Sequence, residues 1–204
     1  MPQAPTPFNI DFKPLKGKDT AIVFRWLSQD FVQAFWDNSQ EHKDDILNFV
    51  EGRKTLSSYA EGKYMYWIAS FKHEPFALLM TIQETQQSPI GLEKRSQLSK
   101  TGNTYSLDYM IGNPRFLGKG YGAQTLSVFI DYFRATSDST ADTFLVDPAS
   151  DNPRAKHVYI KAGFEYVCDF TMEESVSGKG KVHHLLTKRF SLKPLVLPPR
   201  IIAP

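Results

Sequence analysis

The chain has 204 residues, with 24 Lys and Arg against 22 Asp and Glu and a formal net charge of +2. That near balance argues against a nucleic-acid or membrane-surface partner, and no apolar run is long enough to span a bilayer. The single cysteine, Cys168, excludes an internal disulfide framework, and the polar, proline-rich opening carries no secretory signal, so a cytoplasmic protein is expected.

Residues 1–7 read as a loose leader. "FNIDFKPL" (8–15) alternates apolar and polar residues as a half-buried strand does. From Asp19 to Trp36 the spacing of Ile22, Val23, Trp26 and Leu27, then Phe31, Phe35 and Trp36, predicts a helix. A second helical stretch is expected in "DDILNFVEGRKTLSSYAEG". "YMYWIASF" and "PFALLMTIQE" are strands joined as a hairpin through Lys72-His73-Glu74. Residues 85–104 are polar without periodicity. A loop that long inside a compact domain is usually functional or mobile.

"YSLDYMIG" (105–112) is the next strand. A glycine loop follows, and then a helix with Leu126, Phe129, Ile130 and Phe133 at i, i+3, i+4, i+7. "DTFLVDPA" (142–149) reads as a buried strand. In "DNPRAKHVYIKAG", Asn152 is the expected cap, Pro153 the first helical residue and Gly163 the stop. Ala155, Val158, Tyr159 and Ala162 would form the inner face. "FEYVCDFTM" and "KVHHLLTKRF" close the fold around a Gly/Ser-rich turn. The tail over 191–204, with four prolines in "SLKPLVLPPRIIAP", suits neither a helix nor a central strand. The order implies an α/β (α+β) domain over 8–190, a mixed sheet with helices on both faces.

The chemistry gathers around "FLGKGYGAQTL". Glycine is costly to fix in a fold, so three in five positions at a helix start point to a close approach of backbone to a ligand. Backbone N–H groups at a positive helix end suit a pyrophosphate. Lys119 stands between glycines and no Ser or Thr follows, so the P-loop does not fit. Gly118, Gly120 and Gly122 give Gly-x-Gly-x-Gly, so the dinucleotide fingerprint does not fit either. A ligand-free glycine turn remains the competing reading. His42, His73, His157, His183 and His184 lack metal-ligand spacing, and no metal is expected. Cys168 reads as a small apolar residue.

"LGKGYGAQTL" followed by "VDPASDNPRAKHVYIKAGFE" resembles the GNAT superfamily of acetyl-CoA-dependent N-acetyltransferases. In that family's loop pattern, Gly120 and Gly122 match, while Leu117 replaces the usual Gln or Arg. The later signature, Asn-x-x-Ala-x-x-x-Tyr-x-x-x-Gly-Phe, is complete in Asn152, Ala155, Tyr159, Gly163 and Phe164. Within the superfamily the chain is most similar to aminoglycoside 6′-N-acetyltransferases, through "RWLSQDFVQAFW", "SLDYMIGNPRFLGKGYG" and the second motif.

The resemblance implies a GNAT fold, a mostly antiparallel twisted sheet with splayed central strands at the acetyl-CoA site. It implies acetyl-CoA as cosubstrate and a small-molecule amine as acceptor, in a monomer or homodimer. The implied cofactor contacts are Tyr109, Met110, Ile111, Leu117, Gly118, Lys119, Gly120, Tyr121, Gly122, Ala123, Asn152, Ala155 and Tyr159. Asp108 matches an active-site carboxylate, Asp147 a carboxylate holding substrate amines, and Tyr159 the tyrosine beside the CoA sulfur. Trp36 is a candidate for lining the acceptor cleft.

Each role has a plainer counterpart. Tyr159 lies on an inner helix face and reads as core, Asp108 as a solvent-facing strand residue, and Asp147 as a cap for the turn at Pro148. Lys94, Arg95 and Lys100 against Glu93 make the 85–104 loop basic, which disfavours a polycationic drug. Competing functions are a siderophore-pathway N-acyltransferase, a protein N-terminal acetyltransferase of the ribosomal-protein type, and a non-catalytic CoA sensor. "GNTYSLDYM" lacks the histidine that the siderophore group usually carries before this strand.

Overall fold

In the computed structural model, which describes residues 9–172 and 180–191, the chain folds around a seven-stranded sheet. Its strands are β1 (Ile10–Pro14), β2 (Met65–Phe71), β3 (Glu74–Glu84), β4 (Asn103–Ile111), β5 (Ala141–Val146), β6 (Glu165–Thr171) and β7 (Val182–Arg189). Their spatial order is β1-β2-β3-β4-β5-β7-β6. β4 and β5 pair in parallel, and the other neighbouring pairs are antiparallel. The parallel ladder is short: it runs from Asn103 opposite Ala141 to Ser106 opposite Leu145. Beyond it, Leu107–Ile111 continue along β3 alone. The two central strands therefore splay, and among the described residues the β5-facing edge of β4 has no strand partner there.

Helices α1 (Thr20–Leu27), α2 (Asp30–Gln33) and α3 (Gln40–Val50) cover one face. Val23, Trp26, Leu27, Val32 and Ile46 pack there on Tyr66, Ile68, Leu78, Met80 and Met110. Helices α5 (Tyr121–Thr136) and α6 (Pro153–Lys161) cover the other face. The expected stripe of α5 is fully inside: Leu126, Phe129, Ile130 and Phe133 pack with Trp67, Leu79, Leu107 and Phe144. Burial of side chains of this size stabilises by roughly 1.5–3 kcal/mol each. The period-2 alternation of β4 sends Leu107 into this second core and Met110 into the first. Asp108 shares Met110's face, toward α1–α3.

Three expectations need correction. The helix expected from Asp19 to Trp36 is two helices, because Gln29 is extended (φ −83°, ψ 135°). Its side-chain amide donates to the Gly112 carbonyl at 2.7 Å, tying the break to the end of β4. The second helical stretch stops at Val50. Gly52 and Arg53 have positive φ (87° and 59°), and Arg53 turns its guanidinium onto the buried Asp45 and the Tyr64 carbonyl. Residues 85–104 are also not structureless: they hold α4 (Leu92–Ser96) and the first residues of β4. The hairpin stands, as a two-residue turn with Lys72 and His73 at φ 49° and 65°, the left-handed pair that suits the strand twist. The leader, most of the Gly/Ser-rich turn and nearly all of the tail fall outside the described residues.

Gly112 explains how tightly the end of β4 is held. A Cβ there would lie 2.2 Å from two atoms of the Trp26 indole, and Trp26 is buried. Gly112→Ala is expected to destabilise the fold by about 1–3 kcal/mol, the usual cost of overpacking. A fall in the urea midpoint checks this; an unchanged midpoint would contradict the close packing.

Candidate active site

The glycine loop delivers an open cradle. Gly118 and Gly120 have φ of 70° and 81°, a left-handed geometry that favours glycine. A Cβ at either would meet nothing within 4 Å, so there is free space above the loop. Gly120 caps α5, a helix of 16 residues, whose first N–H groups have no intrahelical acceptor. The positive helix end and these donors fit an anionic pyrophosphate. Lys119 is exposed beside them, and Leu117 is half-buried. Gly122 serves differently: its missing side chain lets Val158 of α6 approach to 3.0 Å of where a Cβ would be. Tyr121 sends its ring inward, with centroids 5.4 Å from Phe71 and 5.0 Å from Phe116. Only backbone is left for the cradle at these two positions and at Ala123, which packs against the core.

The splay between β4 and β5 lies next to the cradle. Tyr109 and Ile111 pack against one core and Met110 lies in the other, so what they offer at the splay is main chain. Asn152 and Ala155 form a cap: the Asn152 side chain accepts the Ala155 N–H at 3.0 Å. That contact explains their spacing by helix initiation alone. Tyr159 is buried, its ring 5.7 Å from Phe164. Burial, and then the charges of Asp108 and Asp147, hold its phenol well above the usual tyrosine range. The same two carboxylates thus act on Tyr159, and it stays a proton donor.

On the opposite side of β4 the structure brings Asp108 and Asp147 into one electrostatic unit with Lys94, read from the sequence only as part of a basic loop, and with Tyr64 and Glu84, which the sequence did not single out. Lys94 of α4 places its ammonium 3.0 Å from the Asp147 carboxylate, both side chains nearly buried. The same ammonium stands 5.8 Å from the Phe170 ring centroid, within cation–π range. His183 donates from Nδ1 to the Asp147 carbonyl at 2.7 Å, fixing that residue where β5 ends. Glu84 accepts from the Ser106 hydroxyl at 2.7 Å, one step along the same face. Trp36 is half-buried against the core on this face. Tyr64 could have been suspected, since it continues the inward alternation of Tyr66 and Ile68. Lys94 was legible as a cation of this stretch, but its pairing with Asp147 was not.

Asp108 is the perturbed acid. Burial pushes its pKa up from 3.8 to about 7, the Asp147 and Glu84 charges add to this, and Lys94 and a hydrogen bond from Tyr64 pull against it. The folded state therefore holds this proton more tightly than the unfolded chain. Stability from this group is complete below about pH 4 and declines as pH rises to about 7. A shift from 3.8 to about 7 corresponds to at most about 4 kcal/mol at 1.36 per unit. Asp108→Asn cannot ionise, so it should flatten this slope and stabilise the protein at neutral pH. Urea midpoints measured across that range check it; an equal slope in both proteins would contradict the burial of charge.

A separate groove of about 410 Å³, lined by Ser99, Thr101, Asp142 and Arg189 among others, lies at the opposite end of β5. Its polar groups satisfy one another: Ser99 and Thr101 donate to Asp142 at 2.8 and 2.6 Å. This groove lies apart from the splay between β4 and β5.

Comparison with known proteins agrees with this geometry. Residues 16–172 match a family model described as the acetyltransferase (GNAT) domain. The chain is 24% identical over 157 residues to the aminoglycoside N(6')-acetyltransferase type 1 of Klebsiella pneumoniae, covering 77% of this chain and 74% of that protein. The crystal structure of an aminoglycoside N(6')-acetyltransferase from Legionella pneumophila superposes with a TM-score of 0.66 at 23% identity, over 91% of this chain and 94% of that one. AAC(6')-Ib in complex with coenzyme A and kanamycin superposes with a TM-score of 0.66 at 19% identity, over 89% and 95%. With a glycine cradle, splayed central strands, the Asn152-to-Phe164 signature and a family match over most of its length, the chain belongs to the GNAT family of acetyltransferases.

Proposed function

We propose that this acetyltransferase moves the acetyl group of acetyl-CoA onto a primary amine of a small cationic acceptor, an aminoglycoside 6′-amine or a comparable polyamine, in one ternary complex in the cytoplasm. The observation that carries the acceptor class is the Lys94 ammonium seated against Asp147 and within the field of Asp108. The chain's own lysine stands in for a substrate ammonium. Around it the cleft offers three carboxylates, Asp108, Asp147 and Glu84. The basic loop is less of an obstacle than its composition implies. Arg95 is turned to the carbonyls of Ser88 and Ile90 at 3.1 and 3.0 Å, and Lys94 is paired.

Each residue then has a defined task. Asp147 holds a cationic group of the acceptor. Asp108, with a pKa of about 7, takes the proton that the attacking ammonium must lose, since a base poised near the working pH is most effective. The free edge of β4 at Tyr109–Ile111 offers N–H groups to the carbonyl oxygen as its charge grows. Tyr159 supplies the proton that the departing thiolate requires. The glycine loop and the α5 terminus hold the pyrophosphate, and Asn152 orders the start of α6 beside it.

The test is a coupled assay for CoA release across kanamycin, spermidine, lysine derivatives and peptides, with the Asp147→Asn variant alongside. Loss of one charge-assisted contact, about 1.5–3 kcal/mol, should raise the acceptor KM roughly 10- to 100-fold with a smaller change in kcat. If no cationic amine is acetylated, or if Asp147→Asn leaves KM untouched in a folded protein, the acceptor assignment fails.

A further inference from the structure

Lys94 is more than a counter-charge. It brings a primary amine into the cleft where the acceptor's amine is proposed to react, and the fold holds it there. α4 is anchored on both sides. Arg95 binds the preceding loop through the Ser88 and Ile90 carbonyls, and Arg189 of β7 donates to both the carbonyl and the side-chain oxygen of Gln97 at 2.9 Å. Between these anchors the Lys94 side chain is nearly buried, its ammonium 3.0 Å from Asp147 and stacked toward Phe170. A surface lysine gains little from such a position, and burying an ion pair carries a desolvation cost that its attraction need not recover.

We infer that Lys94 is itself an acetyl acceptor, modified by its own chain in the cleft that serves the external amine. The inference rests on the acetyl-transfer reading of that cleft. The step balances with groups already present. The Nζ–carbon bond forms and the carbon–sulfur bond of the consumed cosubstrate breaks. The first ammonium proton passes to Asp108, the sulfur takes a proton from Tyr159, the second proton shed by the nitrogen restores the Tyr159 phenol, and the products are Nζ-acetyl-lysine and free CoA. Burial works to lower the Lys94 pKa, but the Asp147, Asp108 and Glu84 carboxylates outweigh it and raise it. The neutral amine is therefore scarce, and self-modification is slow beside turnover on a free acceptor. Its consequence is specific: acetyl-Lys94 carries no charge, so Asp147 loses its internal partner and is released for an acceptor's cation.

The experiment incubates the full chain with acetyl-CoA and no acceptor, digests it, and follows each lysine peptide by mass spectrometry. Lys94 is expected to gain one acetyl group, approaching one per chain, at a rate independent of protein concentration. Lys94→Arg keeps the cation but cannot react in this way and should abolish the modification. Asp108→Asn should slow it by at least tenfold, with Tyr159→Phe as a second such variant should the first fail to fold. Exposed Lys100 reports uncatalysed acetylation and should be indifferent to both. An unmodified Lys94, or acetylation of Lys94 equal to that of Lys100 and unaffected by either variant, overturns the inference. If a free amine is acetylated while Lys94 stays unmodified, this inference falls and the proposed function stands. If neither is acetylated, both fall.

Discussion

Tyr159→Phe is expected to lower kcat by about 100- to 10,000-fold, the usual worth of a general acid, with CoA affinity nearly unchanged. Tyr159 is on the inner face of α6, its ring buried against Phe164, so removing one oxygen leaves the packing in place. Burial and the neighbouring carboxylates keep the group protonated throughout the working range. It can therefore give a proton but is not available as a base. At the splay itself Tyr109, Met110 and Ile111 turn their side chains into the cores. Steady-state kinetics with a thermal-shift measurement of CoA binding separate the outcomes. An unchanged kcat, with chemistry shown to be rate-limiting, would return Tyr159 to the role of a core residue.

Asp108→Asn should have a comparable effect on kcat, about 100- to 10,000-fold, and should change its pH dependence. In the wild-type protein the base is active when ionised. With a pKa of about 7 in the free enzyme, kcat/KM should rise with pH through that region and level off above it. Asparagine removes both the base and the titration, so the variant's profile should lose this limb. The stability slope described above should vanish in the same variant, because one proton is responsible for both. A pH–rate profile that is identical in shape in the two proteins would mean that Asp108 positions the amine without accepting its proton.

The elements legible in the sequence are those written in local chemistry. The stripe on α5, the Asn152 cap with Pro153 behind it and the left-handed Gly163 closing α6 each depend on residues within one or two turns. The plainer reading of Asp108 as solvent-facing did not hold: it shares Met110's face, and burial raises its pKa. The errors came where a distant contact overrides local pattern. The apolar spacing after Val50 continues, yet Arg53 leaves the helix to reach Asp45 and Tyr64. At Gln29 the helix breaks in favour of a hydrogen bond to Gly112, far along the chain. The pairing of Lys94 with Asp147 is the strongest case. Its five-residue helix is too short for a periodic signal, and the partner lies far along the chain. Gly122 was legible as significant, but its close packing on Val158 emerges only once α5 and α6 are side by side.

In the proposed reaction Asp108 and its surroundings activate a primary amine for acetyl transfer. The most direct measurement is a single-turnover reaction with enzyme in excess over acetyl-CoA, a saturating aminoglycoside or polyamine, and mass-spectrometric counting of the N-acetyl product. Stoichiometric N-acetylated acceptor is expected from the wild-type protein, and a rate at least 100-fold lower from a folded, CoA-binding Asp108→Asn variant. Equal single-turnover rates from the two proteins, or CoA release with no acetyl group on any amine, would contradict it.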